Sequence, residues 1–230
     1  MTGARGAAAV VAALVATVVG AATALAVPLN PRADIPLGTL PGACEQAPAG
    51  ATCERAAVAA LDRAHRALGL AAYALPKGFI AMPAPHQWLI LANLDRAAYG
   101  IEPIAGLAEP LNLVARQGAA AHADPDPWPL LRSLPGQRLI GFGSDWAGGQ
   151  PNALVAYYGW MYDDGYGSGN LDCRAPSDPG CWGHRRNILA FASAPALTMG
   201  AAALPRARSY ALTVVETATP PWPYAYRAHG

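Results

Sequence analysis

The order of hydrophobic patterns along the chain constrains its fold more than any other sequence feature. Helix-like periodicity comes first, a further helical segment lies in the middle of the 230 residues, and two strand-like apolar runs come last. This order is typical of a layered fold and differs from the strict strand–helix alternation of a parallel sheet. The sequence therefore predicts the α+β class.

The boundaries of the elements follow from apolar spacing and from proline. Helices are predicted over 54–69, 86–99, 106–123 and 151–163. Strands are predicted over 139–143, 197–203 and 209–217, the last two as an antiparallel pair. Pro125 and Pro127 end the third helix because proline cannot continue one, and Pro151 suits the first position of the fourth. Residues 165–180 are expected to form a loop.

An uncharged segment close to the N-terminus predicts export. Residues 7–26 read AAAVVAALVATVVGAATALA, and the small residues around Leu25 fit a signal-cleavage site, so that Val27 would begin the mature chain. An uncleaved anchor is the alternative, because 20 apolar residues can span a bilayer. The cleavage site favours the signal peptide, which would span residues 1–26. Both alternatives make the protein secreted or envelope-associated, with membrane contact only through this segment.

The four cysteines agree with an oxidising compartment. Cys44 and Cys53 are nine positions apart, and Cys173 and Cys181 are eight apart. An even count in an exported chain favours disulfide bonds. Three pairings are possible, and the two local ones are preferred. A zinc site is the weaker alternative because no Cys-x-x-Cys spacing occurs.

Length and charge exclude some classes of function. The 230 residues, 53% of them hydrophobic, suit one domain with short extensions. Sixteen basic and 15 acidic residues give a formal net charge of +1. Such a chain has no basic field that would hold nucleic acid by counterion release, so no nucleic-acid partner is expected.

Three segments, in this order, carry a resemblance to a known family. The first is residues 91–123, a helix followed by Gly-x-x-Pro and a second helix; the second is GSDWAGG at 143–149. The third is WMYDDG at 160–165, followed by CWGHRRNILA at 181–190. Together they resemble the bacterial branch of the superfamily of cysteine-rich secretory proteins, antigen 5 and pathogenesis-related proteins (the CAP superfamily, with its SCP-like domain). The motif Gly-His-Arg-x-Asn-Ile-Leu is the most specific part of this resemblance.

The resemblance implies an αβα sandwich, in which a small antiparallel sheet lies between helices, with a shallow cleft that holds two His and two Glu in many members. It covers the CAP-like domain, residues 86–217. The expected organisation then comprises a leader at 1–26, a Pro/Gly-rich linker with a local disulfide at 27–53, an N-terminal helix and loop at 54–85, the domain at 86–217, and a loose Pro-rich tail at 218–230.

Transferring the family's site to this chain gives a degraded site. His184 matches the His of the Gly-His motif. The Glu of Gly-Glu-Asn falls on Ser144, which Asp145 follows, and the Glu three residues after Trp160 falls on Asp163. The second site histidine is expected to be absent, because the nearby His122 matches a helix position.

The remaining residues limit the chemistry of this site. A catalytic zinc needs three protein ligands, so no metal and no cofactor are expected. Ser144, His184 and Asp163 are the residue types of a catalytic triad, but the triad requires His184 within about 3 Å of Ser144. The chain has no Gly-x-Ser-x-Gly elbow around Ser144. Ser144 is therefore interpreted as a small polar replacement in an inactive site.

Aromatic residues cluster around the same segments. Core packing is their default role, but some could line a cleft that stacks on sugar rings or holds an apolar ligand. The expected ligand cleft consists of Asp145, Trp146, Trp160, Tyr166 and Trp182. His65, on the first predicted helix, is expected to be a partly exposed helix histidine.

These observations favour a protein without enzymatic activity that binds an extracellular or cell-envelope ligand, either a glycan, a lipid or a protein. A weak peptidase-like hydrolase that uses His184, Asp163 and Ser144 is one alternative. A purely structural or interaction domain is the other. The fold alone does not decide among them, because one fold carries many functions.

Overall fold

A computed structural model gives the structure of this protein and describes residues 30–134, 139–192, 194 and 196–227. The leader predicted over 1–26 lies outside the described residues. Within them, no helix is both long and apolar enough to cross a membrane.

Seven helices and three strands follow one another in the described part of the chain. The helices are α1 (Ala43–Gln46), α2 (Ala51–Ala67), α3 (Ala84–Ala98), α4 (Glu109–Ala121), α5 (Trp128–Arg132), α6 (Ala153–Tyr162) and α7 (Gly183–Leu189). The strands are β1 (Leu139–Gly148), β2 (Ala196–Leu204) and β3 (Ser209–Thr217). The four predicted helices correspond to α2, α3, α4 and α6, and all three predicted strands form. The short helices α1, α5 and α7 were not predicted.

Two helix boundaries differ from the prediction for reasons visible in the structure. Helix α4 begins at Glu109 and not at 106, because Leu107 forms a bridge to Met199 on β2. Helix α6 begins at Ala153, two residues after Pro151, because Asn152 caps it by accepting a hydrogen bond from the Val155 N–H at 3.0 Å.

The strands form one antiparallel sheet in the order β1-β3-β2, which confirms the α+β class and the antiparallel terminal pair. Strand β1 is therefore an edge strand. In the register of the sheet Ser144, Thr213 and Gly200 lie side by side, so their side chains share one face.

Helices cover both faces of this sheet. On one face Gly200 lies so close to Leu111 of α4 that a Cβ there would be 2.2 Å from the Leu111 backbone. On the other face a Cβ at Gly143 would be 2.7 Å from Asn187 of α7. Neighbouring residues of a strand point to opposite faces, so Ser144 faces α4 and Asp145 faces α7.

The main hydrophobic core joins the N-terminal helix to the rest of the chain. Ala57, Leu61 and Ala64 of α2 are buried in the same cluster as Trp88 of α3. The expectation for His65 was wrong: its side chain is buried, and its Nε2 lies 2.7 Å from Asp95 Oδ1. Residues 54–85 therefore pack as part of the same core as the segment that follows them.

Both ends of the described chain are packed against the fold. In the expected linker, the Ile35 N–H donates to the Tyr162 carbonyl at 2.8 Å, and the Tyr158 hydroxyl donates to the Ile35 carbonyl at 2.7 Å. In the expected loose tail, the Leu107 N–H donates to the Tyr226 carbonyl, and the Tyr226 ring stacks on His86 at 3.7 Å. The tail is thus paired with the chain at Leu107 as far as Tyr226.

The two local disulfides, Cys44–Cys53 and Cys173–Cys181, are both formed, as predicted. The first joins α1 to α2. The second closes the long loop between α6 and α7.

Candidate functional site

A cleft of about 520 Å³ opens beside the edge strand β1. Its walls come from residues 146–148 of β1, residues 155–160 of α6, the loop 163–172, His184 at the start of α7 and Asp124 after α4. Leu37, from the segment expected to be a linker, also lines it. The volume lies within the usual range for a small-ligand pocket.

His184 is held by a carboxylate that the sequence did not identify. Its Nδ1 lies 2.5 Å from Asp164 Oδ1, and its backbone N–H donates to Asp164 Oδ2 at 3.1 Å. Asn170 Nδ2 also donates to Asp164 Oδ1, at 2.8 Å. Asp164 is buried, so this set of hydrogen bonds fixes the start of α7 against the loop.

The charges around His184 determine its protonation. Burial lowers its pKa, but the hydrogen bond that it donates to Asp164 and the charges of Asp145, Asp164 and Asp124 outweigh this and raise the pKa to about 9. His184 is therefore an imidazolium at neutral pH. A protonated imidazole cannot act as a general base.

Asp163, the expected partner of His184, lies one residue before the actual one. It caps the C-terminus of α6, is half-buried and lines the cleft. Burial, followed by the charges of Asp34 and Asp164, raises its pKa. Arg185 and Arg186, which follow His184, do not pair with Asp163: Arg185 Nη1 donates to the Met161 carbonyl, and Arg186 Nη1 donates to the Cys181 carbonyl.

Ser144 lies on the opposite face of the sheet from α7. Its Oγ donates to Thr213 Oγ1 at 2.9 Å, and Thr213 Oγ1 donates to the Gly143 carbonyl at 3.3 Å. In the part of the chain that the structure describes, no hydrogen bond links Ser144 to His184 or Asp163. The geometry does not assemble the expected triad.

Asp145 lies beneath the cleft and does not line it. The residue is fully buried, and its Oδ1 accepts a hydrogen bond from Asn187 Nδ2 at 2.7 Å. Its Oδ2 has no partner among the described residues. Burial, together with the charges of Asp124 and Asp164, raises the pKa of Asp145 well above its usual value, although His184 and Asn187 lower it. Asp145 therefore holds its proton more tightly than a solvent-exposed aspartate does.

The expected aromatic residues divide into two groups. Trp146 and Trp160 line the cleft, and so does Tyr158, which was not among the expected cleft residues. Trp182 instead packs on the Cys173–Cys181 disulfide, and Tyr166 is 57% exposed on the loop; neither lines the cleft.

Three acidic residues of the cleft were not identified from the sequence. Asp164 and Asp172 come from the loop, and Asp124 follows α4. Burial raises the pKa of Asp124, although the charge of His184 and the backbone of Trp146 lower it. The Asp-Asp-Gly run and the Asp-rich end of α4 were visible signals, but nothing in the sequence indicated that they meet. No group of three or more His, Cys, Asp or Glu among the described residues is arranged to hold a metal ion.

Comparisons with known proteins give no functional information. The chain matches no model of a protein family, and searches of characterised proteins and of solved structures find no match either.

Proposed function

We propose that this chain is an exported CAP-like αβα domain that binds an extracellular or cell-envelope ligand in the cleft and does not catalyse a reaction. The proposal rests chiefly on one observation. His184, the residue most suited to chemistry, is committed to Asp164 inside a cleft whose other walls are aromatic and acidic.

The surroundings of the cleft favour binding over hydrolysis. Ser144, the nucleophile of the alternative triad, donates its hydrogen bond to Thr213 on the other face of the sheet. Trp146, Tyr158 and Trp160 provide apolar surface inside an open volume, as ligand pockets generally do. Helices on both faces of the small sheet support the proposed CAP-like arrangement, and the two disulfides support export.

A weak hydrolase is the second candidate, and the observation that favours it is the His184–Asp164 hydrogen bond. Such an enzyme would use water as its nucleophile, activated by neutral His184. With a His184 pKa of about 9, hydrolysis would increase with pH up to that value. Peptide or cell-wall hydrolysis that follows this profile and is lost in His184→Ala would favour the hydrolase.

Substitutions at Gly159 test the binding function directly. Gly159 lines the cleft, and a Cβ added there meets no atom within 4 Å. Gly159→Phe should therefore fill the cleft without disturbing the core, and Gly159→Ala is its matched control. The purified protein is screened by NMR against glycans, lipids and peptides.

The expected result is that at least one compound shifts resonances of the cleft, that Gly159→Ala keeps this binding and that Gly159→Phe loses it. Binding that survives Gly159→Phe, or a screen in which no compound shifts cleft resonances, would contradict the proposed function.

A further inference from the structure

We propose that the cleft recognises an extended peptide segment through a lysine or arginine side chain. This inference rests on the binding function proposed above and specifies its ligand. It is carried by the charge of the walls, by the aromatic rings beside that charge, and by the position of the cleft at the edge of the sheet.

The walls of the cleft carry more negative charge than their own cations neutralise. Four carboxylates line it, those of Asp124, Asp163, Asp164 and Asp172, and no Lys or Arg lines it within the described ranges. The hydrogen-bonded partner of the one cation, His184, is Asp164. The other three carboxylates have no ion-pair partner within 4.0 Å in that part of the chain.

The two arginines that follow His184 in the sequence are bound elsewhere and do not supply the missing charge. Arg185 donates to the Met161 carbonyl at 2.8 Å and to the Tyr99 hydroxyl at 2.6 Å, and it is buried. Arg186 donates to the carbonyls of Cys181 and Pro179. A cationic ligand is therefore the complement of these walls, and an anionic one would be repelled.

Aromatic residues lie beside the carboxylates. Trp146, Tyr158 and Trp160 line the cleft, and ring faces attract ammonium and guanidinium groups. Trp160 adds an independent observation: it is 2% exposed, and its buried Nε1–H has no hydrogen-bond partner among the described residues. A buried donor of this kind is normally paired, and a ligand carbonyl would satisfy it. A basic peptide supplies both a cation for the ring faces and carbonyl acceptors.

The edge strand favours a peptide over other cations. Residues 146–148 of β1 line the cleft, and β1 has a neighbour on one side only. An extended peptide can bond to the backbone of such an edge. Part of the edge is already occupied, because Asn187 donates to the Ser144 carbonyl at 2.9 Å. The part of the edge that remains for a peptide is the region around Gly148, next to the carboxylates.

The test uses three tripeptide probes with one backbone. N-acetyl-Gly-Lys-Gly-amide is titrated into the purified protein beside its norleucine and glutamate analogues, with NMR shifts of the cleft as the readout. The lysine peptide should bind about tenfold more tightly than the norleucine peptide, because a charged group adds a charge-assisted hydrogen bond. Its affinity should fall as salt is raised, since the carboxylates of Asp124 and Asp172 are solvent-exposed.

Charge variants connect the binding to the named residues. Asp163→Asn and Asp172→Asn should each weaken binding of the lysine peptide about three- to fivefold, which is the range of a partly screened ion pair. Glu102→Gln removes an equal charge at an exposed position outside the cleft and should leave the affinity unchanged.

Three outcomes would overturn the inference. Equal or tighter binding of the norleucine or glutamate peptide would show that charge does not select the ligand, while the binding function itself would stand. Binding of a glucosamine oligomer without binding of the lysine peptide would overturn the inference that the ligand is a peptide. If no compound in the wider screen shifts the NMR resonances of the cleft, the proposed function would be overturned as well.

Discussion

His65 Nε2 lies 2.7 Å from Asp95 Oδ1, and this buried contact joins α2 to α3. Asp95 also accepts hydrogen bonds from the hydroxyls of Tyr73, Tyr157 and Tyr162, all of them buried. Because a buried carboxylate is costly unless it is fully hydrogen-bonded, these four donors make the interior position of Asp95 stable. The network thus fixes the N-terminal helix in the core.

Removing the Asp95 charge should therefore destabilise the fold. In Asp95→Asn the amide group places a donor among hydroxyl and imidazole donors, so we expect a loss of about 2–4 kcal/mol in the free energy of unfolding. Urea denaturation measures this loss. Glu102→Gln, an exposed position, is the control and should change stability by less than about 0.5 kcal/mol. A similar small change in Asp95→Asn would contradict a stabilising role for the network.

The stability of the protein should decrease as the pH rises above 6.5. The pKa of His184 is raised from 6.5 to about 9, chiefly because its interactions with Asp164 and with the charge of Asp145 outweigh burial. The folded state therefore binds this proton more tightly than the unfolded state. This contribution is fully present below pH 6.5 and is lost as the pH rises through about 9. His65, whose pKa is also raised, acts in the same direction.

Denaturation between pH 6 and 9.5 measures this dependence. The free energy of unfolding should fall much less steeply with pH in His184→Asn, which keeps a polar side chain but does not titrate. An unchanged slope in that variant would mean that the titrating group is not His184.

Gly159→Ala should stabilise the protein. Gly159 lies inside α6, and its added methyl group meets no atom within 4 Å. Alanine is favoured over glycine in a helix interior by roughly 0.5–1 kcal/mol. Thermal denaturation should show the corresponding increase in Tm. A decrease would indicate that the space beside Gly159 is not open.

Ser144→Ala should reduce stability but leave ligand binding intact. The substitution removes the hydrogen bond to Thr213, worth about 0.5–1.5 kcal/mol, on the face of the sheet away from His184. The measurements are urea denaturation and titration of any ligand found in the screen. If binding were lost in a variant that still folds, Ser144 would have a role in the site that its position does not explain.

The disulfide Cys173–Cys181 should matter for binding. It closes the loop that carries Asp172, and a loop of this size contributes roughly 2–3 kcal/mol to stability. Replacing both cysteines by alanine should weaken ligand binding by freeing the loop. Replacing Cys44 and Cys53 is the matched control, because neither lines the cleft. Equal effects of the two pairs on binding would argue against a role for the loop.

Most of the secondary structure was predictable because its signals are local. The apolar spacing of α2, α3, α4 and α6 and the runs of β2 and β3 each lie within one segment of sequence. Helix α7 was missed because it has only seven residues, and Trp182 before it has a left-handed backbone with no side-chain cap. Strand β1 extends five residues beyond its prediction, since its length depends on pairing with β3.

The sequence by itself determined the α+β class and the order of the main elements, and it favoured the two local disulfides. Only the tertiary structure decided that Asp164, not Asp163, binds His184, and that Ser144 faces away from both. The physical reason is one of distance along the chain. Periodicity, capping and short loops act between neighbours, whereas one residue of shift at the end of α6 changes which carboxylate meets a side chain 20 positions later.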